Sequence, residues 1–189
     1  RTCHSGIGTA TGWVVPLNTV LDTNQIRVYD CRLMRALSEL VSRACVPGLM
    51  NLEYNPTGHN PVNLCEACAA GGDDKCQRDS RELYFGDAGA FRCLVERAGD
   101  VAFARHTTVN ENTGGRNPSH WARNRRSDDY ELLCRDGARR GVSDWARCNL
   151  GRVPGRTVVT AARRTPVERR RFWQLLQYAQ EYYASDSNP

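Results

Sequence analysis

The sequence predicts a layered α/β unit, rich in disulfides. Three observations predict it. Short segments of strand character alternate with segments of helical period along the chain. Nine cysteines in 189 residues are more than a reducing cytosol sustains without a metal. Forty per cent apolar content in a chain of this size is enough for one core.

The elements follow in order. Gly6, Gly8 and Gly12 form a loop that leads into an apolar stretch from Trp13; such a loop ahead of a helix can offer backbone N–H groups to an anion, although most simply turn. Asp30 is placed to cap a helix whose apolar face is Leu33, Leu37, Leu40 and Val41. Residues 46–82, with Pro47, Pro56, Pro61, Gly58, Gly71 and Gly72, are expected to be an irregular excursion tied down by cysteines. Gly89–Glu96 is a short helix and Val101–Phe103 a short buried strand. The polar residues 110–128 are expected to form an exposed loop, and Cys134 and Cys148 to bracket another. Thr157–Thr160 is β-branched and predicts a strand. Thr165, Pro166 and Glu168 make a capping box for a last helix to about Ala184, with Phe172, Leu175, Leu176, Ala179 and Tyr183 as its apolar face. Residues 1–184 are expected to be one subdomain and 185–189 a flexible tail.

Composition narrows the function. The net charge is +5, and one of the 26 basic residues is lysine (Lys75), so 25 are arginine. The arginines are interleaved with 21 acids and lack aromatic neighbours for base stacking, which argues for a solvated surface and no nucleic-acid partner. Cys65, Cys68 and Cys76 near His59 suggest zinc at first sight, but no second close pair follows, and disulfides fit better. No apolar run is long enough to span a bilayer. Both Asn-x-Ser/Thr matches, at Asn55 and Asn117, carry proline in the middle and are not expected to be glycosylated. His4, His59, His106 and His120 are scattered, and no hydrolase, metalloprotease or P-loop motif is present; no catalytic residues and no enzymatic activity are expected.

Several blocks in sequence carry a family resemblance. They are Cys3–Gly8 with Gly12-Trp13, Tyr84–Gly86 with Gly89–Leu94, Gly99–Thr108, Asp129–Cys134, and Cys148–Leu150 with Val153-Pro154. Together they resemble a transferrin lobe over nearly the whole chain. The Glu111–Trp121 loop and Asn149–Gly151 resemble the melanotransferrin-type branch, insect members included. The resemblance implies the second subdomain of a lobe, the C-terminal lobe before the N-terminal one, with a fold similar to type II periplasmic binding proteins. The family's preceding hinge strand is missing, so the chain would be an incomplete half-lobe.

The same resemblance implies disulfides Cys3–Cys93, Cys45–Cys68, Cys65–Cys76 and Cys134–Cys148. Cys31 is left over, its family partner lying far downstream, and Gly48 stands where a cysteine is common. A transferrin lobe holds ferric iron with two tyrosinates, an aspartate and a histidine, plus carbonate. By position, the carbonate pocket would be Ser5, Thr9, Thr11 and Gly12, with Thr9 where the family has arginine. Asp87 stands at the tyrosine ligand position, and Arg105 at that of a lysine that triggers release. These changes imply a degenerate site with no cofactor in this lobe. Two readings of Asp87 are open: it replaces the anion at the Thr11-Gly12 helix start, or it faces solvent. The resemblance implies an extracellular protein, secreted or anchored at the cell surface. Its partners would be the rest of its own lobe, another lobe and cell-junction proteins. Two functions follow: a structural or adhesion role, or iron transport in which another lobe carries the metal.

Overall fold

The computed structural model describes residues 1–153 and 158–184, in two compact units divided after Val153. In the first, a three-stranded parallel sheet has the order β2-β1-β3, from Thr2–His4 (β1), Ala44–Cys45 (β2) and Val101–Phe103 (β3). Parallel strands need crossovers. Helices α1 (Val15–Asp22) and α2 (Leu33–Leu40) lie between β1 and β2, and α3 (Gly86–Val95) precedes β3. A short helix α4 (Thr108–Glu111) and an antiparallel hairpin, β4 (Glu131–Leu133) with β5 (Arg139–Gly141), complete the unit. The mixed α/β character is thus present, with one short strand on each side of a short central one.

The core sits between β1, β2, the start of α3 and the segment 46–76. Cys3, Ala44, Cys45, Val46, Leu49, Leu64, Ala90 and Cys93 are fully buried. The stretch expected to be an irregular excursion also supplies much of the core. It has little regular structure, and two disulfides hold it in place of a hydrogen-bond ladder: Cys68 bonds Cys45 of β2, and Cys65 bonds Cys76. Cys3–Cys93 ties β1 to α3, and Cys134–Cys148 closes the hairpin region. Cys31 is a free, exposed thiol. Each native bridge of this kind contributes about 2–4 kcal/mol.

Several local expectations are corrected. Asp30 does not cap α2: it and Cys31 both adopt positive φ (51° and 57°), turning the chain, and the helix starts two residues later without a side-chain cap. Only Leu37 of its stripe is buried, while Leu40 is exposed. Helix α3 begins at Gly86, three residues early, because Gly86 (φ 78°) makes the bend that a side chain would oppose. Strand β3 is half-buried, not buried. Residues 110–128 are not a wholly exposed loop, since Asn112, Thr113 and Ala122 are buried.

The second unit carries α5 (Pro166–Ala184). Its capping box is present: Thr165 N donates to Glu168 Oε2 (2.8 Å) and Glu168 N donates to Thr165 Oγ1 (3.3 Å). Its apolar face is exposed, with Phe172, Leu175 and Leu176 at 42%, 65% and 41%. Of the expected strand at 157–160, Thr157 lies outside the described residues, and Val158–Thr160 form no strand. Their β-branching has no partner ladder among the described residues. The expected tail, 185–189, also lies outside them. No described helix is long and apolar enough to cross a membrane.

Candidate functional site

The end of β1, the turn that follows it and the start of α3 converge on one place. Gly86 N donates to the Ser5 carbonyl (2.9 Å), which fixes the first turn of α3 against the strand end. After β1 the chain passes into a wide helical turn, Ala10–Val14, in which both Trp13 and Val14 N–H reach the Thr9 carbonyl. Helix α1 continues from it. The close approach is what requires Gly12: a Cβ there would collide with Ser5 Oγ and lie 2.8 Å from Ser5 Cβ.

The structure brings Ser5, Thr9, Thr11, Gly12 and Asp87 together, and their polar atoms serve one another. Thr9 Oγ1 donates to the Gly6 carbonyl (2.7 Å), so its contact with Ser5 Oγ (2.8 Å) must use the serine's proton. Both hydroxyl protons are spent within the turn. Asp87, in the first turn of α3, is half-buried. Its carboxylate accepts from Arg105 Nε (2.7 Å), Arg105 N (3.2 Å) and Thr11 Oγ1 (3.4 Å). Asp87 thus faces neither open solvent nor the backbone N–H groups of Thr11-Gly12. The contact to that turn comes from a side chain, because β3 delivers Arg105 to the same spot with a better donor. A guanidinium N–H makes a charge-assisted hydrogen bond, stronger than one from a neutral amide. Arg105 is further placed 3.8 Å from Glu111.

His4 lies directly beneath this turn, 5% exposed. Nδ1 is 2.8 Å from the Gly12 carbonyl, which only accepts, so Nδ1 carries the proton and Nε2 accepts from Thr2 Oγ1 (3.0 Å). The ring stacks on Phe103 (centroids 4.9 Å) and meets Trp13 edge-on (5.4 Å). Burial pushes its pKa down to about 4, against a smaller opposing effect of the Gly12 hydrogen bond. His4 is therefore a neutral strut under the turn. His106 stacks on Trp145 (4.1 Å).

One organising residue escaped sequence reasoning. Glu82, 1% exposed, accepts from Ala69 N (2.9 Å), Ala70 N (3.3 Å), Cys76 N (2.9 Å) and Tyr84 N (3.1 Å). It holds the disulfide segment against the approach to α3. An acid between two exposed residues, Arg81 and Leu83, gives no sequence signal of burial. Glu82 also lies within ligand distance of Cys45 and Cys68. Those sulfurs form a disulfide, so they offer a metal no thiolate.

Comparison with known proteins gives the family. The sequence model of the transferrin family matches residues 1–189. Transferrin 2 of Drosophila melanogaster is 45% identical over 185 residues, 97% of this chain and 22% of that protein. Human melanotransferrin is 44% identical over 190 residues, 100% of this chain and 24% of that protein. Otolith matrix protein 1 of Oncorhynchus mykiss is 39% identical over 188 residues, 97% of this chain and 50% of that protein. The chain spans about a quarter of the first two and half of the third.

Proposed function

The chain belongs to the transferrin family, and from that premise we propose that it is part of an extracellular lobe which does not hold ferric iron or carbonate and serves a structural or adhesive role. The observation that supports this reading is the polar cluster in which Ser5 engages Thr9 and Asp87 engages Arg105, where the family resemblance would put the carbonate pocket. A carbonate needs donors with protons to give. Here the Ser5 and Thr9 protons go to Thr9 and Gly6, and Arg105 Nε is engaged by Asp87.

Charge works the same way. A bound carbonate would sit beside the Asp87 carboxylate, with no guanidinium at position 9 to offset the repulsion. A charge-assisted pair of that kind contributes about 1.5–3 kcal/mol. The Asp87–Arg105 pair supplies internally the neutralisation that an anion and a metal would otherwise bring. Asp87 is shorter than a tyrosine and already committed, so it would have to abandon three donors to reach a metal.

The lobe as a whole would be two α/β subdomains around a cleft, similar to type II periplasmic binding proteins, of which this chain supplies one. Four disulfides favour an oxidising, extracellular setting. The kinship to a protein named for the otolith matrix favours a structural role, since the resemblance to it covers nearly the whole of this chain.

The test is calorimetry of the complete lobe with a ferric chelate and bicarbonate, in the native protein and in a variant carrying both Thr9→Arg and Asp87→Tyr. Saturable, bicarbonate-dependent heat is expected in the variant alone. Such heat in the native lobe would contradict the proposal.

A further inference from the structure

On the outer side of α3, the helix and the loop 117–126 enclose an open pocket of about 580 Å³, lined by Arg92, Glu96, Ser119, His120, Trp121 and Arg125. The pocket is separate from the Asp87 cluster and takes no part in the function proposed above. Its loop is built, not loose. Ala122 is 1% exposed, Ser119 N donates to Asn117 Oδ1 (2.9 Å), and Gly114 N donates to the Arg125 carbonyl (2.9 Å). Trp121 is half-buried and meets Phe91 edge-on (centroids 6.2 Å), so the indole is a fixed wall.

Both guanidinium groups are anchored by Nε. Arg92 Nε donates to Glu96 Oε1 (2.8 Å) and Arg125 Nε donates to the Trp121 carbonyl (3.3 Å). Their Nη groups make no hydrogen bond among the described residues. Held at the stem and free at the fork, each can grip an oxyanion without first being ordered. The pocket's carboxylate, Glu96, is occupied on both oxygens, by Arg92 and by the Tyr84 hydroxyl (2.8 Å). Two guanidiniums and one carboxylate leave a single positive charge before His120 is counted.

The geometry points to a binding site for a sulfated sugar unit of an extracellular polysaccharide. A sulfate ester carries one negative charge, which the pocket matches, and its oxygens suit the two guanidinium forks that line it. The indole gives the apolar face of a pyranose ring a surface to lie on. Arg123, exposed on the same loop, extends the positive surface as a polymer of sulfates requires and a lone ion does not.

The test is titration of the intact protein, followed by calorimetry, with a sulfated glycosaminoglycan hexasaccharide. The desulfated hexasaccharide and inorganic sulfate are the comparison ligands. Saturable binding is expected for the sulfated sugar alone, weakened about tenfold in Arg125→Ala and less in Arg125→Lys, which keeps charge but loses the fork. Arg139→Ala, on the β4–β5 hairpin, should bind as the native protein does. Absent binding, equal binding of the desulfated sugar, or equal affinity for inorganic sulfate would each overturn the proposal. So would a loss in Arg139→Ala matching that in Arg125→Ala, which would mean diffuse charge and not a site.

Discussion

Lowering the pH from 7.5 to 5 should destabilise the first unit through His4. The imidazole is buried, neutral and held with its pKa near 4, while in the unfolded chain it returns to its ordinary 6.5. Between those values the unfolded state binds a proton that the folded state refuses. Stability is therefore complete above pH 6.5, falls as pH drops, and stops falling below pH 4. The full loss is about 3 kcal/mol, and about 2 kcal/mol of it is expected by pH 5. Other groups with resolved changes titrate elsewhere: Asp100 and Glu168, both exposed, are held below their usual values by Arg1 and by Thr165, respectively, and act at lower pH. The assay is urea denaturation at a series of pH values, for the native protein and for His4→Gln. Glutamine stays neutral and can still donate to the Gly12 carbonyl. The native protein should lose about 2 kcal/mol relative to the variant between pH 7.5 and 5. Parallel stability curves for the two proteins would refute the reasoning.

Three further outcomes are expected. A double-mutant cycle on Asp87→Ala and Arg105→Ala should give a coupling of about 1 kcal/mol, reduced by salt, since the arginine is half-exposed; zero coupling in denaturation would remove the ion pair from the account. Glu82→Gln should cost about 3 kcal/mol, because its amide NH2 would face two of the four backbone donors, those of Ala70 and Cys76 or those of Ala69 and Tyr84; a thermal melt unchanged from native would show that the carboxylate is not needed. Gly12→Ala should cost about 2 kcal/mol or more by driving a methyl into Ser5, and an undiminished denaturation midpoint would contradict that.

Where the sequence was legible, a local rule had a single outcome. The Thr165–Glu168 box needs only its own turn, and the structure shows both of its hydrogen bonds. Strands β1 and β2 were not legible, because three and two residues are too few to display a period, and Thr2-Cys3-His4 has no β-rich composition. The hairpin strand Arg139–Gly141 is exposed and pairs through its backbone, with one cross-strand ion pair, Arg139 to Glu131. Conversely, Val158–Thr160 have strand residues but no ladder among the described residues.

The site was legible by position and illegible by geometry. Resemblance implied one pocket of Ser5, Thr9, Thr11 and Gly12, with Asp87 at a ligand position beside it. It could not show that Thr9 would turn its proton to Gly6, or that Arg105 would reach Asp87 across from the end of β3. Those are choices among donors, decided by packing. The need for Gly12 likewise comes from Ser5, seven residues earlier and beyond any local rule.

The most direct test of a closed site is the visible absorption of the intact native lobe as ferric chelate is added in bicarbonate buffer. The account predicts no tyrosinate-to-iron band arising from this lobe at any ferric concentration. A saturating band, abolished by substitutions in this lobe, would contradict it.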